Sequence, residues 1–152
     1  MYEGMEALWR SDGRKRLSES EVRQMNALVL AYVGDTVYDL MVRTYLAEHY
    51  AGSAHKLHQL AIGYVSAHAQ SDTLHRLLPE LSEEEAAVYR RGRNTKSPTV
   101  PKNADVTEYR AATGLEALIG FLYLAGRFER LSQIGQMILQ PGQEDKPAAK
   151  EE

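Results

Sequence analysis

Apolar positions along the chain recur at helical spacing, and no segment alternates strictly as a half-buried strand would. Ser18 followed by Glu21 has the spacing of a capping box ahead of an apolar run, which predicts a helix start. Val22, Met25 and Val29 continue the period, and beyond Gly34 it runs on through Val37, Leu40, Met41 and Thr44. Leu28, Leu30, Val33, Tyr38, Val42 and Tyr45 occupy the remaining faces, so this helix is apolar nearly all round. Such a helix is buried on several sides, in a core or in a subunit interface.

Ala51-Gly52-Ser53 punctuates the end of that unit. A helix to about Gly63 follows, then one from Ser66 to Leu78 that Pro79 stops. Ser82 and Glu85 repeat the capping-box spacing before a short helix to about Arg91. Residues 94–104 hold two prolines and no period, so they form a loop. The next helical unit starts near Val106 and buries Leu115, Leu118, Ile119 and Leu122. Leu131, Ile134 and Ile138 mark a closing helix. The expected class is all-α in one domain over 18–140, with a loose polar arm at 1–17 and a disordered tail at 141–152 beginning at Pro141-Gly142.

Composition narrows the chemistry. The 152 residues contain no Cys, which removes disulfides and thiolate catalysis and suits a reducing cytoplasm. No segment approaches the ~20 apolar residues of a membrane span, and the N-terminus lacks the apolar core of a secretory signal. A cytoplasmic protein without membrane contact is expected. The net charge of −3 hides an uneven distribution. Arg90, Arg91, Arg93, Lys96, Lys102 and Arg110 face only Asp105 and Glu108 over 90–110, so this stretch is locally basic. It reads either as a solvated surface turn or as a phosphate-contacting loop stiffened by its prolines. In the arm, Arg14, Lys15 and Arg16 make a short cluster that reads as a solvated tail.

Two carboxylates stand in apolar surroundings. Asp35 lies in AYVGDTVYDL and is either a helix N-cap after Gly34 or half of a cation site. Asp39, one turn on, shares its face and could address the same ion. Glu116, in TGLEALIGFLYL, is the sole charge between Arg110 and Arg127. It pairs with Arg110, lies exposed on an amphipathic helix, or joins Asp35, because burying a carboxylate without compensation costs several kcal/mol. His55 and His58 have i, i+3 spacing but no HExxH or Cys context, so they read as surface histidines. Phosphate-binding loops of the GxxxxGK[ST] kind and GxSxG nucleophile turns are absent from the sequence.

Taken in order, ALVLAYVGDTVYDLMVR (27–43), KLHQLAIGYVSAHAQ (56–70), RRGRNTKSPTVPKNADVTEYR (90–110) and TGLEALIGFLYL (113–124) resemble Mini-ribonuclease III, a ribonuclease III catalytic domain without a double-stranded-RNA-binding domain. The resemblance covers most of 22–139, and the basic segment between the two acidic motifs makes it specific. It implies a helical homodimer whose signature helices form much of the interface. It implies Mg²⁺ held by catalytic Asp35 and Glu116, and hydrolysis of double-stranded RNA that leaves 5′-phosphate and 3′-hydroxyl ends. The implied substrate is precursor large-subunit ribosomal RNA, with a large-subunit ribosomal protein as a possible helper on it. Arg93, Lys96, Lys102 and Asn103 would meet RNA phosphates and sugars. Where larger ribonuclease III enzymes carry further acidic residues, this chain has Leu28, Ala31 and Thr113, so one Mg²⁺ that keeps several waters is the expected arrangement. The competing functional classes are a non-catalytic relative that binds structured RNA, and a helical interaction dimer. The second leaves the carboxylates and the basic loop without a use.

Overall fold

The computed structural model describes residues 16–96 and 100–139. Most of the N-terminal arm, Ser97-Pro98-Thr99 and the C-terminal tail lie outside the described residues. Within them the chain is helical, and no strand occurs. The helices are α1 (Glu19–Gln24), α2 (Ala27–His49), α3 (Ala54–Val65), α4 (Ala67–Leu77), α5 (Glu83–Asn94), α6 (Val106–Leu124) and α7 (Phe128–Leu139), with a 3₁₀ turn at Leu78–Glu80.

Local chemistry sets most boundaries. Both predicted capping boxes form: Ser18 with Glu21 opens α1, and Ser82 with Glu85 opens α5. Ser53 and Ser66 accept from the backbone N–H three residues on and start α3 and α4. Pro79 sits inside the 3₁₀ turn that ends α4. Gly126 closes α6 at φ +72°, a left-handed conformation that lets its N–H reach the Tyr123 carbonyl at 3.1 Å and that of Arg127 reach Leu122 at 2.9 Å.

One expectation is corrected. The helical period read continuously through Met25 is broken there: Met25 is extended at ψ 143°, and Asn26 caps a new helix by accepting from the Leu28 N–H. The Arg91 guanidinium holds this break, donating to the carbonyls of Arg23 (3.0 Å) and Met25 (2.8 Å). At the last residues of the arm, Arg16 lies over the Phe128 ring at 5.1 Å.

The core forms around α6, whose Leu115, Ala117, Leu118, Ile119, Phe121 and Leu122 are fully buried. α2 packs along it through Leu30, Tyr38, Val42 and Leu46, while α4, α5 and α7 cover the remaining sides. A Cβ added at Gly34 would run into the backbone oxygen of Glu116, and one at Gly120 into that of Leu30. The two helix backbones therefore touch, reciprocally, at this crossing. α5 meets α6 next to it, with the Gly92 backbone against Gly114 and Ala117.

Candidate active site

The α2–α6 contact fixes the relation between the two acidic residues. Gly34 lies against the Glu116 backbone, so the next residue on α2, Asp35, projects beside the Glu116 side chain. The two carboxyl groups come within hydrogen-bonding distance. Asp35 is exposed and lies well inside α2, which excludes its reading as an N-cap. Glu116 is half-buried on α6. Burial first, and then the neighbouring Asp35 charge, push the Glu116 carboxyl up to about 8. A hydrogen bond from the Gln70 side chain acts in the opposite direction.

Arg110 does not pair with Glu116. No cationic group contributes to the Glu116 environment, and no ion pair joins the two among the described residues. Asp39 is engaged elsewhere, in an i, i+4 bridge to Arg43 at 2.9 Å. Asp105 caps α6, accepting from the N–H groups of Thr107 (2.8 Å) and Glu108 (3.1 Å). The site is therefore a pair of carboxylates with no cation among the described residues to neutralise them, one partly dry and one open to solvent. Among the described residues no group of three or more acidic or histidine side chains is gathered for a metal. Two hard oxygen donors with an exposed side suit a divalent cation that retains several waters. Such a cation would relieve the repulsion that raises the Glu116 carboxyl. His55 and His58 are exposed on α3.

The basic segment enters where α5 packs on α6 one turn from Glu116. Arg93 follows Gly92 at that contact, partly buried, with its guanidinium over the Tyr89 ring at 5.5 Å and bonded to the Asn94 side chain at 3.1 Å. Lys96, Lys102 and Asn103 are exposed on the loop. Beside them a turn closes through Ala104 N–H to the Pro101 carbonyl. Arg91, counted in the sequence with this cluster, serves the α1–α2 break instead. A separate cleft of about 600 Å³ on α3 and α4, lined by Tyr64, His68, Asp72 and Arg76 among others, includes neither carboxylate.

Gln70 was not legible as a site residue. It lies on α4 in a run of small polar residues, where only the fold reveals that its side chain is buried against Glu116.

Comparison with known proteins agrees with this architecture. The ribonuclease III domain family matches residues 28–127. The Mini-ribonuclease 3 of Clostridium tetani is 44% identical over 126 residues, covering 82% of this chain and 83% of that protein. The Symbiobacterium thermophilum Mini-ribonuclease 3 is 51% identical over 109 residues, covering 72% of this chain and 84% of the relative. Among solved structures, the X-ray structure of a Fusobacterium nucleatum protein superposes with a TM-score of 0.70 at 30% identity, covering 78% of this chain and 95% of that one. With its helical core, its acidic pair on the crossing of α2 and α6, and relatives matched over most of their own length, the chain belongs to the ribonuclease III family of endoribonucleases and, within it, to the Mini-ribonuclease 3 group.

Proposed function

We propose that this chain is a Mg²⁺-dependent endoribonuclease that cuts double-stranded RNA as a cytoplasmic homodimer, and that it matures precursor large-subunit ribosomal RNA. The observation that carries the reading is the facing pair Asp35 and Glu116, two carboxylates brought together by a glycine-mediated helix crossing and left without a cation among the described residues. Asp35 and Glu116 would hold a divalent ion there, which would supply Lewis-acid stabilisation of charge growing on the phosphate. The protein's own share is to hold Asp35 and Glu116 at one place and to present Arg93, Lys96, Lys102 and Asn103 to the RNA backbone. Contacts of that kind read the shape and charge of a duplex more than its sequence. No helix among the described residues is long and apolar enough to cross a membrane.

Pairing of two copies is supported by α2. Val29, Tyr32 and Leu40 lie on one stripe with Thr36 and are 46%, 80% and 50% exposed, so large apolar groups face outward beside Asp35. The ribosomal substrate and a ribosomal-protein helper rest on the family alone. They are tested by offering a duplex built from the two ends of precursor large-subunit RNA, with and without that protein.

The deciding experiment incubates the protein with a labelled RNA duplex, with and without Mg²⁺, beside Asp35→Asn and Glu116→Gln. Metal-dependent cutting that both variants lose, with folding retained, is the expected result. Duplex binding without cutting, indifferent to both substitutions, would make the chain a non-catalytic RNA-binding relative.

A further inference from the structure

Gln70 presents an unusual account of its hydrogen bonds. It sits in the first turn of α4, its own N–H bonded to the Ser66 carbonyl at 2.9 Å, and it is only 3% exposed. Its side-chain nitrogen donates to the Val65 carbonyl at 3.0 Å, and the amide lies close enough to the Glu116 carboxyl to favour its charged form. A carbonyl only accepts, so the contact with Val65 fixes which edge of the amide is the NH₂ edge. The NH₂ edge is thus turned to Val65 and Glu116, and the remaining oxygen, Oε1, is buried with no partner among the described residues. The nearby Tyr38 hydroxyl cannot supply a donor, because it already donates to the Tyr64 carbonyl at 3.1 Å. A buried amide oxygen left unpaired costs free energy, and native proteins retain such groups where something else completes them.

We propose that Gln70 is the uncharged third member of the cation site, its N–H orienting the Glu116 carboxylate and its Oε1 accepting a hydrogen bond from a water carried by the bound ion. This rests on the reading of Asp35 and Glu116 as cation ligands. The amide suits the place for a physical reason. A third carboxylate would add to the repulsion between Asp35 and Glu116, whereas an amide favours the Glu116 anion through its donor and keeps a hard oxygen unpaired beside it. Gln70 is thus a positioning residue that acts through Glu116 and through the ion's hydration shell. Outer ligands of this kind change metal affinity by about 10- to 100-fold when removed.

The test measures Mn²⁺ binding to the full chain by electron paramagnetic resonance, in the absence of RNA, for the parent, Gln70→Leu, Gln70→Met and Glu116→Gln. The two apolar variants should bind Mn²⁺ at least tenfold more weakly. Their cleavage of duplex should return when Mg²⁺ is raised by the same factor, with the KM for RNA unmoved; a merely structural role would not be rescued by metal. In the unaltered protein, the Gln70 side-chain amide resonance should shift on adding Mg²⁺. Parent-like Mn²⁺ affinity in either folded Gln70 variant, or an amide resonance indifferent to Mg²⁺, overturns the role of Gln70 while Glu116→Gln still loses metal. If Glu116→Gln itself binds Mn²⁺ like the parent, the two-carboxylate site falls, and the role of Gln70 with it.

Discussion

Glu116 carries an energetic signature that can be read without substrate. Its carboxyl is raised to about 8, chiefly by burial and then by Asp35. A group raised in the fold contributes stability that is complete below its unfolded value, near 4.5, and that is lost as pH climbs through 8. The metal-free protein should therefore weaken between pH 5 and 8, by up to about 1.4 kcal/mol per pH unit. Glu116→Gln should flatten that slope and, at pH 8.5, exceed the parent by a few kcal/mol (order of magnitude). Urea unfolding in EDTA across this range checks it, and a parallel slope in the variant would contradict the assignment. Glu85 shows the opposite case. Burial would raise its carboxyl, but the Arg130 guanidinium at 2.8 and 2.9 Å and the Ser82 backbone hold it low. That stability is present above about 4.5 and is lost as pH falls through the depressed value. Arg130→Met should cost about 3–5 kcal/mol at neutral pH by stranding a buried charge, with thermal unfolding as the measure. The acidic pair was legible because charge is conspicuous among apolar neighbours. Gln70 was not, since an uncharged polar residue among polar neighbours gives no such contrast. Nor does a charge run reveal that Arg91 is spent on carbonyls rather than on a ligand.

At the scale of helices, periodicity located α2, α4, α6 and α7 because each buries a face, and capping-box spacing located the starts of α1 and α5. The break at Met25-Asn26 escaped it. The apolar period runs unchanged across the gap, and only the Asn26 cap and the Arg91 clamp interrupt the backbone. The pattern also could not show that Gly34 and Gly120 meet, because a glycine carries no hydropathy to betray a backbone contact made 80-odd residues away in sequence. The contact nonetheless decides whether the carboxyl pair exists. Gly34→Ala places a methyl group on the Glu116 carbonyl. It should destabilise by at least about 3 kcal/mol and reduce metal binding even in the folded fraction. Gly63→Ala is the natural control: it lies on α3 with open space around it, and the change should raise stability by up to about 1 kcal/mol. Equal melting temperatures for the two variants would show that the α2–α6 approach is not tight.

For the molecule as a whole, the meaning of an element depends on what it faces. The expectation that α2 is buried on several sides is met within one chain by Leu30, Ala31, Tyr38, Val42 and Leu46, but not by Val29, Tyr32 and Leu40. A single sequence records both sets as apolar and cannot say which belongs to a core and which to a second copy. The outward stripe runs past Asp35, so a partner packed on it would set two carboxyl pairs at a fixed separation on one assembly, each beside a basic loop. Cutting both strands of a duplex needs that arrangement, whereas cutting one strand does not. Tyr32→Glu adds a charge to the most exposed aromatic of the stripe without touching the α6 side of the helix. It should weaken self-association by roughly 30-fold or more, as expected when an aromatic anchor worth about 2 kcal/mol is lost. Sedimentation would read that shift, and far-UV dichroism would show the helices intact. Concerted double-strand cuts should then give way to slow single-strand nicks. Lys102→Ala separates the two contributions, because it should leave association unchanged and weaken duplex binding while shallowing its salt dependence by about one phosphate contact. A Tyr32→Glu protein that stays monomeric yet still cuts both strands together would mean that one chain holds all the chemistry, leaving the apolar stripe with another purpose.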